Sequence, residues 1–332
     1  MPRGGPFTDG VNMNVSQRRF VFLRRTTVLC GVLVLAIIGL SAFIRLSNAG
    51  LGCGDWPRCY GQVLREAQRD ERASIVDSDA VAATAHIGDS PAVAAARLAH
   101  RVLAVATLLL VIAMVMSCFA TMPTLPLQGR IALALLGTAL FLAVLGRWTS
   151  GARVPAVAMG NLLGGFAMLA LCARLAGSAP SPQCPRLGAW AWAGAAVLLC
   201  QIALGGLVSA GYAGLSCPGL TGCDLSGTAG VWEALNPWRE PRFDATLPVN
   251  PAGVLAHAVH RAGALVTFLV LLPLGVLAMR RGRRRAGAVL LALLAIQVTL
   301  GISMVVHALP FPLALAHNLV AALLLAVVIR LA

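Results

Sequence analysis

Eight apolar runs, each close to the roughly twenty residues that cross a bilayer as a helix, constrain this chain more than any other feature. They cover residues 26–46, 92–120, 127–148, 154–177, 188–210, 251–279, 285–306 and 311–331. In hydrocarbon every backbone N–H and C=O needs an internal partner, so runs of this length are expected as helices. The first run is too long for a signal-peptide core and has no small-residue cleavage site after it, so it is expected to stay as a span. Composition agrees, with 58% hydrophobic residues, 11% charged residues and mean hydropathy +0.83. The expected fold is an all-α polytopic membrane protein with eight transmembrane helices, not a water-soluble domain.

Charge gives the orientation. All 26 basic residues are arginine, and the formal net charge is +14. They gather at the ends of the runs rather than along a groove with interleaved aromatics. They therefore read as topology signals and not as a nucleic-acid surface. Arg18, Arg19, Arg24 and Arg25 precede the first run, and Arg174 and Arg186 flank the link between the fourth and fifth. Arg280, Arg281, Arg283, Arg284 and Arg285 crowd the link between the sixth and seventh, and Arg330 lies at the C-terminus. These all fall on one side, expected to be the cytoplasmic face of a bacterial-type inner membrane, with both termini there. Apart from Asp9, every Asp and Glu lies within 55–89 or 224–244, two long loops that then face outward. No carboxylate sits inside an apolar run, which argues against a carboxylate-driven pump or transporter.

The chain also repeats itself. Asn48-Ala-Gly-Leu-Gly-Cys53 with Cys59 returns as Tyr212-Ala-Gly-Leu-Ser-Cys217 with Cys223. His100-Arg101 returns as His260-Arg261, and Asn161 stands where the second copy has His317. After a cytoplasmic tail of residues 1–25, residues 26–178 and 188–332 are expected as two tandem four-helix bundles with outward loops 47–91 and 211–250. Four spans per half leave both halves the same way up, related by a pseudo-two-fold axis along the membrane normal.

Ionisable side chains inside membrane helices are costly and mark functional sites by default. His257 and His260 lie one turn apart in Leu255-Ala-His-Ala-Val-His-Arg, and His317 lies in Ala314-Leu-Ala-His-Asn. His260 and His317 read as corresponding positions of neighbouring antiparallel spans. Two imidazoles projecting from facing helices of a bundle are what an axially ligated haem iron requires. Arg261 then suits a propionate, and His257 suits orientation of a ligand rather than metal binding. In the first half His100 leaves a single ligand, with Arg97 one turn before it and Asn161 as a hydrogen-bonding partner. That is either a degenerate half kept for packing or a site that holds a haem loosely as substrate. His86 and His307, in or near loops, are further ligand candidates. Each outward cysteine pair, Cys53/Cys59 and Cys217/Cys223, reads equally as a loop staple or as a reversible dithiol, and metal binding ranks below both. Cys30, Cys118, Cys172, Cys184 and Cys200 read as small apolar fillers. Trp56, Tyr60, Trp232 and Trp238 read as anchors at the membrane interface.

These residues, taken together, resemble the haem A synthase family. The likeness runs over nearly the whole chain from about residue 26. It rests on Arg45-Leu-Ser-Asn-Ala-Gly-Leu-Gly-Cys53-Gly-Asp-Trp-Pro-Arg-Cys59, both His-Arg pairs, Asn161-Leu-Leu-Gly-Gly-Phe166 and His317-Asn318. The resemblance implies an eight-span haem-dependent oxidoreductase that oxidises a methyl group of haem O to the formyl of haem A for cytochrome oxidase. It implies a haem b cofactor on His260 and His317, substrate haem in the N-terminal half, and electron or haem handling at Cys53/Cys59. Cys217/Cys223 would be mainly structural. Implied partners are the haem O-producing enzyme, the oxidase assembly machinery and lipid, and a homo-oligomer is compatible. Two positions depart from the family pattern: Arg97 replaces its usual Glu, and Asn161 replaces its second N-terminal His. Two other readings of the same residues are a non-catalytic haem-binding assembly factor and a membrane b-type cytochrome passing electrons from a quinol to an outward dithiol.

Overall fold

The computed structural model of the protein describes residues 8–51, 53–62, 65, 90–120, 124–149, 153–177, 185–225, 231–241 and 250–332. Eight long helices account for most of them: α1 (Thr8–Asn48), α2 (Pro91–Phe119), α3 (Pro126–Thr149), α4 (Pro155–Ala176), α5 (Pro185–Ala210), α6 (Val254–Arg280), α7 (Arg284–Val306) and α8 (Phe311–Leu331). All eight are long and apolar enough to cross a membrane, and no strand occurs among the described residues. Four of them open on proline, whose missing N–H costs nothing at a first helical turn. Ser90 adds a side-chain cap to α2 by accepting from the Val93 N–H at 3.4 Å. Only α1 departs from the expected limits, because its helix runs back through the basic flank to Thr8. No proline lies between Thr8 and Arg25, so the helix nucleated in the apolar run propagates through the arginines.

Helix contacts form two closed circuits. In the first half α1 packs on α2, α2 on α3, α3 on α4, and α4 returns to α1; α5 to α8 make the same circuit in the second half. The circuits meet where α4 touches α5 and α8, and where α1 touches α8. Consequently α6 and α8 are not neighbouring antiparallel spans. They stand across the second circuit from each other, each flanked by α5 and α7, because an odd number of crossings separates neighbours that run opposite ways. The buried stripe of α1 is Leu23, Thr27, Cys30, Val34, Ile38, Ala42 and Leu46, at helical spacing on one face. Its Leu23, Cys30, Val34 and Ile38 join Leu162, Phe166 and Leu169 of α4 and Leu325 and Val328 of α8 in one cluster that spans both circuits. With lipid as solvent, such contacts hold helices together by close packing rather than by exclusion of water.

Outside the membrane, the loop after α1 folds over the second half. Tyr60 is 2% exposed, packed edge-on between Trp56 and Tyr212 with ring centroids 5.5 and 5.7 Å away. Its hydroxyl accepts from the Gly214 N–H at 3.4 Å, and burial raises the phenol pKa above its ordinary value. The Trp56 indole N–H donates to the Ala308 carbonyl at 3.1 Å. Both residues therefore clamp the two halves instead of anchoring at the interface. Trp232 and Trp238 are 79% and 73% exposed, as an interfacial role asks. Gly50, at φ +90°, sits where a Cβ would stand 2.3 Å from the Cys59 carbonyl oxygen, so the turn that closes this loop admits only glycine.

Near the opposite face α6 and α7 cross through Gly275 and Gly287. A Cβ on Gly287 would lie 2.6 Å from the Gly275 carbonyl oxygen and 2.9 Å from the Met279 nitrogen, both backbone atoms that cannot swing aside. Gly287→Leu is therefore expected to destabilise the protein by about 2 kcal/mol or more, read as a lower thermal midpoint in detergent. Gly137→Ala, with nothing within 4 Å, is expected to shift stability by less than about 0.5 kcal/mol. Equal shifts would contradict this packing.

Candidate functional site

The second circuit turns one polar side chain inward from each of its four helices. His260 comes from α6 and His317 from α8, the two helices that face each other across the circuit. Gln201 of α5 places its amide nitrogen 3.0 Å from His260 Nδ1 and donates to the His260 carbonyl at 2.9 Å. Gln297 of α7 places its amide nitrogen 3.1 Å from His317 Nε2. Each imidazole also lies against a glycine of the same helix that carries its glutamine. A Cβ on Gly205 would stand 2.9 Å from His260 Cε1, and one on Gly301 would stand 3.3 Å from His317 Cε1. Gly263, one turn beyond His260, leaves the notch for the Gln201 amide, since a Cβ there would meet its Oε1 at 2.3 Å.

Gln201 and Gln297, with Gly205 and Gly301, are the residues that reading the sequence missed. Their signal was present: Gln201-Ile-Ala-Leu-Gly205 and Gln297-Val-Thr-Leu-Gly301 are one pattern written twice, and helices α1 to α4 do not contain it. A four-residue spacing puts the amide and the glycine on one helix face, one turn apart, so a single face both grips a ring and makes room for it.

Several buried polar atoms here have no hydrogen-bond partner: Gln201 Oε1, Gln297 Oε1, His317 Nδ1 and His257 Nδ1. A buried polar atom left unpaired costs about 1–3 kcal/mol, so a concentration of them in one circuit points to a ligand or water that completes it. The donor set fits a haem iron. His260 and His317 stand on helices that lie across the circuit from each other, each with a glutamine amide beside one ring nitrogen, and among the described residues no carboxylate hydrogen-bonds either ring. Among the described residues no group of three or more His, Cys, Asp or Glu stands together. A bare ion therefore finds no full ligand set there, whereas a porphyrin brings its own nitrogens and asks the protein for one or two axial ligands.

His257 is 6% exposed and hydrogen-bonds the backbone of Ala213 from the turn before His260. Arg261 points toward the outward loop, where its guanidinium donates to the carbonyls of Cys217 and Gly219 at 2.9 Å and of Leu220 at 3.2 Å. Its two terminal nitrogens thus hold the ring closed by the Cys217–Cys223 disulfide, whose Cα atoms are 4.5 Å apart. Cys53 and Cys59 are also joined as a disulfide in the loop after α1. In the first circuit, His100 and Arg97 are half-buried on α2, Arg101 is exposed, and Asn161 is half-buried on α4 across from them. His307 caps α7, its Nδ1 donating to the Ser303 carbonyl at 2.9 Å, away from both circuits. His86 and Cys184 lie outside the described residues. Cys30, Cys118 and Cys172 are buried fillers as expected, while Cys200 lies on the outer surface of α5.

Residues 24–329 match the family described as COX15-CtaA, cytochrome oxidase assembly protein. A heme A synthase of Shewanella oneidensis is 34% identical over 313 residues, which cover 89% of this chain and 91% of that protein.

Because Arg261 bridges α6 to the 217–220 backbone, Arg261→Gln is expected to loosen that loop. The Cys217–Cys223 disulfide should then be reduced several-fold faster by a membrane-impermeant reductant, read by alkylation and mass, with Cys53–Cys59 unchanged as internal reference. Unaltered reduction of Cys217–Cys223 would contradict the anchoring role.

Proposed function

The chain belongs to the COX15-CtaA family of cytochrome oxidase assembly proteins, and on that premise we propose that it is a haem A synthase, an oxidoreductase that converts a methyl group of haem O to a formyl. The observation that carries this reading is the inward-facing set His260, His317, Gln201 and Gln297, built from all four helices of the second circuit. His260 and His317 would hold a haem b there, and such a group supplies one-electron redox chemistry that side chains alone lack. A neutral imidazole has one nitrogen lone pair, so iron at His317 Nε2 would displace the Gln297 amide beside it. Iron at His260 Nε2 would need the ring proton moved to Nδ1, which now faces the Gln201 amide. The glutamines limit rotation of the rings, and His257 orients the helix turn below.

The first circuit would take haem O. Among the described residues His100 is its one imidazole, so it would approach the substrate from one side. Arg97 and Arg101 supply fixed positive charge close by. A guanidinium does not act as a base at ordinary pH, so Arg97 binds or orients where the family's Glu would exchange protons. Asn161 offers a hydrogen bond in place of a second imidazole. Cys53–Cys59, close to the clamp between the halves, would pass electrons, while Cys217–Cys223, tied down through Arg261, would hold the loop. The arginine-rich links support both termini in the cytoplasm of an inner membrane, which would leave the disulfides outside. The two circuits correspond as the sequence repeat asks, which supports tandem bundles about a two-fold axis along the membrane normal. Haem O would arrive from the enzyme that makes it, and the product would leave to oxidase assembly.

Arg97 and Asn161 favour one second reading, a haem-binding assembly factor without catalysis. Co-expression with a source of haem O, followed by pigment extraction and mass analysis, separates the two. Haem A should form, and His100→Ala should lower its yield at least about tenfold while b-type haem stays bound. Haem O alone beside a normally loaded wild-type protein would reject the enzyme.

A further inference from the structure

The two circuits meet along seams that the sequence repeat makes comparable, and one seam carries a charge that its counterpart does without. Matching Asn48-Ala-Gly-Leu51 to Tyr212-Ala-Gly-Leu215 pairs Arg45 with Ser209, and matching Asn161 to His317 pairs Leu162 with Asn318. Where α4 meets α5 the contact is apolar and close: a Cβ on Gly206 would stand 2.9 Å from Leu162 Cδ2 and 3.4 Å from Met159 Cγ. Where α1 meets α8, Arg45 instead donates through Nη2 to Asn318 Oδ1 at 3.3 Å. The scaffold therefore closes such a seam without a cation, and the arginine needs another explanation.

Its surroundings supply one. Arg45 Nε and Asn318 Nδ2 are both buried and both lack a partner, and both are donors. The ion pairs among the described residues are Arg153 with Glu240 and Arg239 with Glu233, so no described carboxylate neutralises Arg45. An arginine that merely snorkels keeps its whole head group in water, and here one guanidinium nitrogen is shut away. A buried, uncompensated charge beside a second unmet donor is strongly unfavourable until an anion joins it. The guanidinium fork and an amide N–H together suit a carboxylate, which accepts several hydrogen bonds in one plane. Asn318 directly follows His317, so the donors lie next to the residue that faces the second circuit.

We propose that Arg45 and Asn318 form a carboxylate site at the α1–α8 seam that takes a porphyrin propionate. This inference rests on the haem reading of the preceding subsection. Arg261, the other cation near these helices, also has a buried Nε without a partner, but its terminal nitrogens are engaged by three carbonyls of 217–220, whereas Arg45 makes the one bond to Asn318.

The test is equilibrium titration of full-length protein, purified in detergent from a haem-deficient host, with ferric haem and with its dimethyl ester. The wild type should bind the free acid at least about tenfold more tightly than the ester. Arg45→Gln should bring the two within about twofold while leaving ester affinity in place, and Arg45→Lys should retain most of the preference. A preference that survives Arg45→Gln, or an equal loss of affinity for both forms, would overturn the site. Failure of the wild type to bind either form would overturn the haem reading itself, and this inference with it.

Discussion

A bilayer interior gives a polar side chain no water to fall back on, and this protein is arranged around meeting that demand in one place. Four helices each turn one imidazole or amide toward a common centre, and each imidazole receives an amide from the adjoining helix. A glycine one turn from each glutamine lets the ring lie against the helix backbone. Remove the amides and the rings would turn; fill the glycines and the rings would be pushed toward the centre. What remains unmet, two amide oxygens and two ring nitrogens, defines what a guest must satisfy.

The first circuit shares the scaffold but not this grip. His100 and Asn161 occupy the repeat positions of His260 and His317, yet no glutamine–glycine pattern supports them. A tightly held group and a passing one ask for different surroundings: the first needs fixed ligands, the second needs to leave. The proposed division between a resident haem and a substrate haem follows from that difference in support. The clamp of Trp56 and Tyr60 on Tyr212, Gly214 and Ala308 keeps the two circuits in register, and the α1–α8 seam brings Arg45 to the residue after His317. Contact between the halves therefore includes a polar pair, Arg45 with Asn318, at the α1–α8 seam, and is apolar where Leu162 meets Gly206.

Hydropathy made the eight helices legible, because span length and backbone satisfaction leave a membrane chain few choices. The histidines were legible for the same reason, since an imidazole in an apolar run is conspicuous. Relations across helices were harder to read. Sequence order made α6 and α8 look like neighbours, whereas the packing puts α5 and α7 between them. Tyr60 carries the composition of an interfacial anchor, and only the returning loop reveals that it is buried. Gln201 and Gln297 passed unnoticed because a single amide in an apolar helix has no periodic signature until its glycine and its target ring are known. In the sequence Arg45 belongs to a motif that runs on into the loop, and its separation from the described carboxylates is a fact of three-dimensional packing.

The central claim, that His260 and His317 are the two axial ligands of one haem, is tested most directly by the low-temperature electron paramagnetic resonance spectrum of the oxidised, purified protein. The account predicts a low-spin signal of two-imidazole type that His317→Ala converts to high spin and His100→Ala leaves in place. A low-spin signal that persists unchanged in both His260→Ala and His317→Ala would contradict it.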